Sequence, residues 1–185
     1  MRQLGLIACV LAGGCVQSPA SQLAGPVAVQ VGANEYLRLD QGANGDVACD
    51  RGTLYLPATA SINGGIDATG CALKIEGLVN GPIVASGGLV HVIDVPSVNG
   101  ELSVHDANEV VVLGSLVNGR ADIERTGTVT VTSSNFNDEG TFDDNGAVDI
   151  EDTFFNGSLE ISGSQSCTQS DNQTNGSLDV AGCER

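Results

Sequence analysis

The sequence predicts an all-β fold, a single-stranded β-solenoid (a right-handed β-helix) with coils of about 19 residues. Three observations predict it. Asn80, Asn99, Asn118, Asn137, Asn156 and Asn175 recur at constant spacing, and all but Asn137 are followed by Gly. Within each copy apolar and polar residues alternate, as in Leu102, Val104 and Ile123 against Ser103, Asp122 and Glu124. This is the period-two pattern of a strand with one buried face. No segment carries helical spacing over a helical length, and 25 Gly with one Met and no Trp suit short strands and tight turns.

The chain opens with an export signal over residues 1–20. Arg2 supplies the positive start, residues 4–11 the apolar core, and small residues follow. The run is too short to span a membrane as a helix. Leu11-Ala12-Gly13-Gly14-Cys15 resembles the lipobox of bacterial lipoproteins, which implies that Cys15 is lipidated. The alternative is cleavage after Ala20, where Ser18-Pro19-Ala20 resembles a signal-peptidase site. Val16 follows Cys15, and the same resemblance then implies an outer-membrane lipoprotein facing the periplasm or the cell surface. The alternative cleavage implies a secreted or periplasmic soluble protein. Residues 21–33 read as a linker and residues 34–185 as the repeat domain.

The domain starts with two irregular strand patterns, Tyr36-Leu37-Arg38-Leu39 and Leu54-Tyr55-Leu56. Asn44-Gly45 marks a weak copy. Asn63-Gly64 opens another that is two residues short, and the copy at Asn80 shifts its second apolar run by one, to Val90 and Val92. The regular copies then carry a first strand with Leu102, Val104, Ile123, Leu159 and Ile161 inward, and a second with Val110, Val112, Val129, Val131, Val148 and Ile150 inward. A third apolar corner closes each copy, at Leu116-Val117, Phe136 and Phe154-Phe155. Atypical first and last units are expected, because each end of a stack has one neighbour only.

An antiparallel β-meander of hairpins is the alternative, since Asn-Gly is the favoured two-residue hairpin turn. Constant spacing favours coils: a meander tolerates variable loops, whereas a coil that changes length pulls its inward columns out of line. In a coil the six Asn form a ladder of amides bonded from turn to turn, as in stacked cross-β segments. Burial of Asn156 and Asn175 in this column is expected, and the following Gly suits a left-handed turn.

Motifs such as Leu116-Val117-Asn118-Gly119 and Ser158-Leu159-Glu160-Ile161 resemble the repeats of bactofilins over about residues 60–180. Bactofilins are bacterial right-handed β-solenoids that polymerise end to end. The export signal and the cysteines depart from that family and argue against filaments here.

Of six Cys, Cys9 leaves with the signal and Cys15 takes lipid, leaving Cys49, Cys71, Cys167 and Cys183. Export favours disulfides. Three pairings are possible. Sequence distance favours Cys49–Cys71 and Cys167–Cys183, each joining adjacent coils near an end. Stapled ends predict a monomer, with end-to-end assembly as the alternative.

The net charge of −16 disfavours nucleic acid and anionic membrane surfaces as partners. Asp138, Glu139, Asp143 and Asp144 are the densest acids and the candidate calcium ligands, although no D-x-D-x-D-G loop is present. No other cofactor is implied. Catalytic clusters are missing from the pattern: there is no Ser-His-Asp, Cys-His or zinc spacing, and only Arg120 and Arg125 accompany the acids. The expectation is a non-catalytic, lipid-anchored envelope protein with a structural or binding (adhesive or scaffold) role. Its partners are the membrane, through the lipid, and an envelope protein or glycan. A carbohydrate-binding or carbohydrate-active β-helix acting on extracellular polysaccharide is the alternative.

Overall fold

The computed structural model describes residues 29–181 and Cys183. The expected export signal over residues 1–20, with Cys15, and residues 21–28 lie outside that range. Among the described residues the fold is all-β, and neighbouring strands run parallel. The chain is therefore a solenoid, and the hairpin meander is excluded.

Each coil has three faces. The first is a nine-stranded sheet from Val29–Val31 to Leu178–Val180, and it includes Leu102–His105, Ala121–Glu124 and Gly140–Asp143. The second is eight-stranded, from Tyr36–Arg38 to Ser166–Ser170, and includes Leu89–Ile93, Glu109–Leu113 and Thr128–Thr132. The third consists of two-residue strands such as Leu116–Val117, Asn135–Phe136, Phe154–Phe155 and Gln173–Thr174. Isolated bridges at Val98 carry it past the coil where no strand forms. The count is eight coils with a ninth begun. Val29–Val31 pairs with Val47–Asp50, so the solenoid starts inside the segment 21–33 expected as linker. Its Val-Gln-Val alternates too briefly to read as a strand without its partner.

Inward residues form continuous apolar columns. Val110, Val129 and Val148 stack on the second face, and Val117, Phe136 and Phe155 on the third, all essentially without exposure. The large rings cluster: Phe136 and Phe155 stack with centroids 4.9 Å apart, and Phe142 meets Phe155 edge-on at 6.3 Å. Gly140 lies in the same inward position as Ala121 and Leu159, and a Cβ there would run into the Phe155 ring. The missing side chain is the space that admits the third Phe.

Register between coils is not uniform. Ile62 pairs with Val79, Ile66 with Ile83 and Leu73 with Val90, each 17 apart, so one coil is two residues short. A later departure is made good within a single turn. Ile83 pairs with Leu102 and Val98 with Val117, each 19 apart, yet Val90 pairs with Val110, 20 apart. The corner Asp106-Ala107-Asn108 holds one residue more than Gly87-Gly88 above it. The next corner holds one fewer, so the coil regains its length before the third face. The shifted run at Val90 is this event.

Candidate functional site

Polar chemistry concentrates at the three corners. At the corner after the third face, Asn side chains form the expected ladder. Each Nδ2 donates to the Oδ1 of the coil before: Asn80 to Asn63 at 2.8 Å, Asn99 to Asn80 at 2.8 Å, Asn118 to Asn99 at 2.6 Å, and Asn175 to Asn156 at 2.7 Å. Asn137 joins through Asn118, and Asn44 and Asn63 extend the ladder toward the N-terminus. Two expectations fail here. The amides are exposed rather than buried, because the corner points them out of the coil. The Gly after each Asn is not there for a left-handed backbone, since Gly81, Gly100, Gly119 and Gly157 do not have positive φ. It is there for close stacking: a Cβ on Gly100 would lie 2.5 Å from Pro82 N, and one on Gly119 2.7 Å from Gly100 C. Asp138 interrupts this Gly column. The ladder breaks at the same level, where no hydrogen bond among the described residues joins Asn156 to Asn137.

Left-handed residues occupy the other two corners instead. Arg51, Asp106, Arg125 and Asp144 form one column, and Asp94, Ser133, Asp152 and Asp171 the other. Beneath the second lies an inward polar ladder. Ser115 Oγ, Ser134 Oγ and Thr153 Oγ1 accept from the backbone N–H of Val95, Ser115 and Ser134, at 3.1, 3.3 and 3.4 Å. Asn172 Oδ1 accepts from Thr153 N at 3.0 Å. These side chains satisfy amides that the turn takes out of the sheet. The four stand at the same spacing as the exposed Asn, so the period could have placed them. Their burial was hidden because Ser, Thr and Asn at a turn read as surface residues.

The two cysteine pairs join as sequence distance suggested, Cys49 to Cys71 and Cys167 to Cys183, with Cα–Cα distances of 6.2 and 4.4 Å. Cys49, Cys71 and Cys167 are buried within the coil. The N-terminal bridge is not terminal, since the coil of Val29–Val31 lies beyond it.

The candidate calcium ligands do not converge. Asp138 and Glu139 stand at the Asn corner, before Gly140–Asp143, whereas Asp143 and Asp144 stand at its far end. Among the described residues no group of three His, Cys, Asp or Glu is placed to hold a metal ion. A dense acidic run in sequence becomes a ring around one coil, because 19 residues carry the chain once round. Its carboxylates meet hydroxyls of the neighbouring coils: Ser162 donates to Asp143 at 2.6 Å, Thr168 to Asp149 at 2.8 Å and Ser133 to Asp152 at 3.1 Å. Interleaving of this kind limits the cost of like charges directly opposite each other.

The few cations among the described residues are paired. Arg125 reaches Asp106 at 2.9 Å and also Glu124, which raises its own pKa and holds the Asp106 carboxyl below the usual range. Arg120 lies 3.4 Å from Glu101 and 3.6 Å from Asp122. On the second face the Tyr55 ring sits between Arg38 and Lys74, 4.9 and 5.1 Å from its centroid. Tyr55 donates to Glu76 at 2.7 Å, which pushes the phenol pKa up. Glu76 is held low by Lys74 first and Tyr55 second. His91 and His105 each face a carboxylate of the next coil, Glu109 at 3.7 Å and Glu124 at 3.6 Å.

A groove of about 590 Å³ runs along the corner between the second and third faces. It runs from the coil of Asp94 to that of Asp171. Its walls carry carboxylates and Ser133 on one side and the outward side chains of the third face on the other. Sequence reasoning missed it. A two-residue strand such as Phe154–Phe155 gives no alternation from which to read an outward side chain. No protein-family model, curated protein or solved structure matches this chain.

Proposed function

We propose that this chain is an exported, lipid-anchored, non-catalytic protein of the bacterial envelope, in which the solenoid serves as a structural or binding rod. The observation that carries the reading is the pair of interior disulfides across adjacent coils, which belong to an oxidising compartment. The export pattern and Cys15 agree with it. A single lipid chain gives only marginal membrane attachment, so the acylated Cys15 is read here with its full lipoprotein modification. The long corner groove favours binding over a purely mechanical role, with an envelope glycan or protein as partner. The carbohydrate-active alternative would require a general acid and base facing one bond. The paired states of Arg120 and Arg125 commit both cations to structural contacts instead.

Metabolic labelling with a radioactive fatty acid, followed by membrane fractionation, tests the anchor. The wild-type chain should carry label and sediment with membranes, and Cys15→Ala should do neither. Unlabelled wild-type chain, or Cys15→Ala sedimenting equally, overturns the lipid-anchored reading.

A further inference from the structure

The corner groove has a periodicity of its own. Its floor and third-face wall present Leu116, Asn135, Phe154 and Gln173, one from each successive coil. Apolar and amide rungs alternate, so each type recurs every second coil. At about 4.8 Å per coil that is roughly 9.6 Å. An extended peptide repeats on one face every two residues, about 6.6 Å, and would fall out of step within two rungs. A two-sugar step of an extended β-linked polymer has the longer length. Leu116 and Phe154 then offer surfaces for the C–H faces of alternate rings. The amides of Asn135 and Gln173 both donate and accept, as sugar hydroxyls require.

The opposite wall selects among glycans. Asp94, Asp152 and Asp171 bring carboxyl groups to it, and no Lys or Arg lines the groove. Uronate, sulfate or phosphate polymers would meet like charge there. A sugar polymer with free amino groups presents donors and positive charge on the required side. We propose that the groove binds an extended β-linked amino-sugar polymer with unacetylated amines. This deepens the binding role proposed above and rests on it. The fatty-acid labelling reads the anchor and the titration below reads the groove, so either can fail while the other stands.

The test is calorimetric titration of the full-length chain with three hexamers: β-1,4-glucosamine, its fully N-acetylated form, and galacturonic acid. The glucosamine hexamer should bind, the acetylated form at least tenfold more weakly, and the uronate not at all. Phe154→Ala and the double variant Asp152→Asn/Asp171→Asn should each weaken glucosamine binding at least tenfold. Asp149→Asn/Glu151→Asn removes the same charge from the second face, outside the groove, and should change affinity less than twofold. Circular dichroism before titration keeps loss of binding distinct from loss of fold, since all these side chains are outward. Failure to bind any hexamer, equal binding of the acetylated form, binding of the uronate, or equal loss in the Asp149/Glu151 variant overturns the proposal.

Discussion

Gly140 illustrates how a single position is set by its neighbours. It stands in a column of inward side chains where Ala121 and Leu159 are its partners, and the ring of Phe155 occupies the space its own side chain would take. Gly140→Ala should therefore overpack the core and destabilise the domain by about 1–3 kcal/mol, read as a lower denaturant midpoint. An unchanged midpoint would mean that the Phe155 ring moves aside freely. The column was legible in the sequence, because period and alternation place Gly140 inward. The Phe155 ring that justifies it was not, since the two residues belong to different faces and meet only when the coil closes. The Gly beside each ladder Asn shows the same limit. Its position could be read, but close backbone approach between coils is a property of the stack.

Strands and inward columns were the most readable elements, because alternation and a fixed period reinforce each other at every copy. Corners were the least readable. At the first corner, Asp106, Arg125 and Asp144 look like a solvated charge run in sequence. In the structure they form one left-handed column in which Arg125 bonds Asp106 of the coil before. Hydrogen bonds from Arg125 depress the Asp106 pKa in the folded state. Such a group contributes stability above the unfolded carboxylate pKa and loses it as pH falls through the folded value. Arg125→Ala should accordingly lower the melting temperature at neutral pH. The gap to wild type should close as pH drops below the carboxylate range. Thermal melts across that range check it, and a gap independent of pH would assign Arg125 a packing role instead. The groove escaped sequence reasoning for a related reason: it is built from one corner and a two-residue strand, neither long enough to carry a pattern.

On the scale of the whole molecule, the two disulfides divide the stack. Each joins a cysteine at the first corner, Cys71 or Cys183, to an inward position of the preceding coil. Cys49 lies on the first face and Cys167 on the second. The bridges therefore flank the corner from opposite sides near opposite ends. With sequence separations of 22 and 16 between the paired cysteines, each is worth about 3 kcal/mol in the chain-entropy model. Reduction, or Cys→Ser at both members of one pair, should lower the unfolding midpoint and fray the coils at that end first. Amide exchange should then accelerate near Val29–Val31 for the first pair and near Leu178–Val180 for the second, with coils around Ile123 protected. Uniform acceleration along the chain would instead make the solenoid one cooperative unit.

The compensated register between Val90 and Val110 bears on how such a chain can change. A residue gained at one corner and given up at the next leaves every later coil in phase, as a slipped thread on a screw is recovered within one turn. Changes of length in this molecule are then absorbed at its corners, where an added residue leaves the strand that follows facing inward, whereas the same change inside a strand would turn the side chains beyond it to the other face.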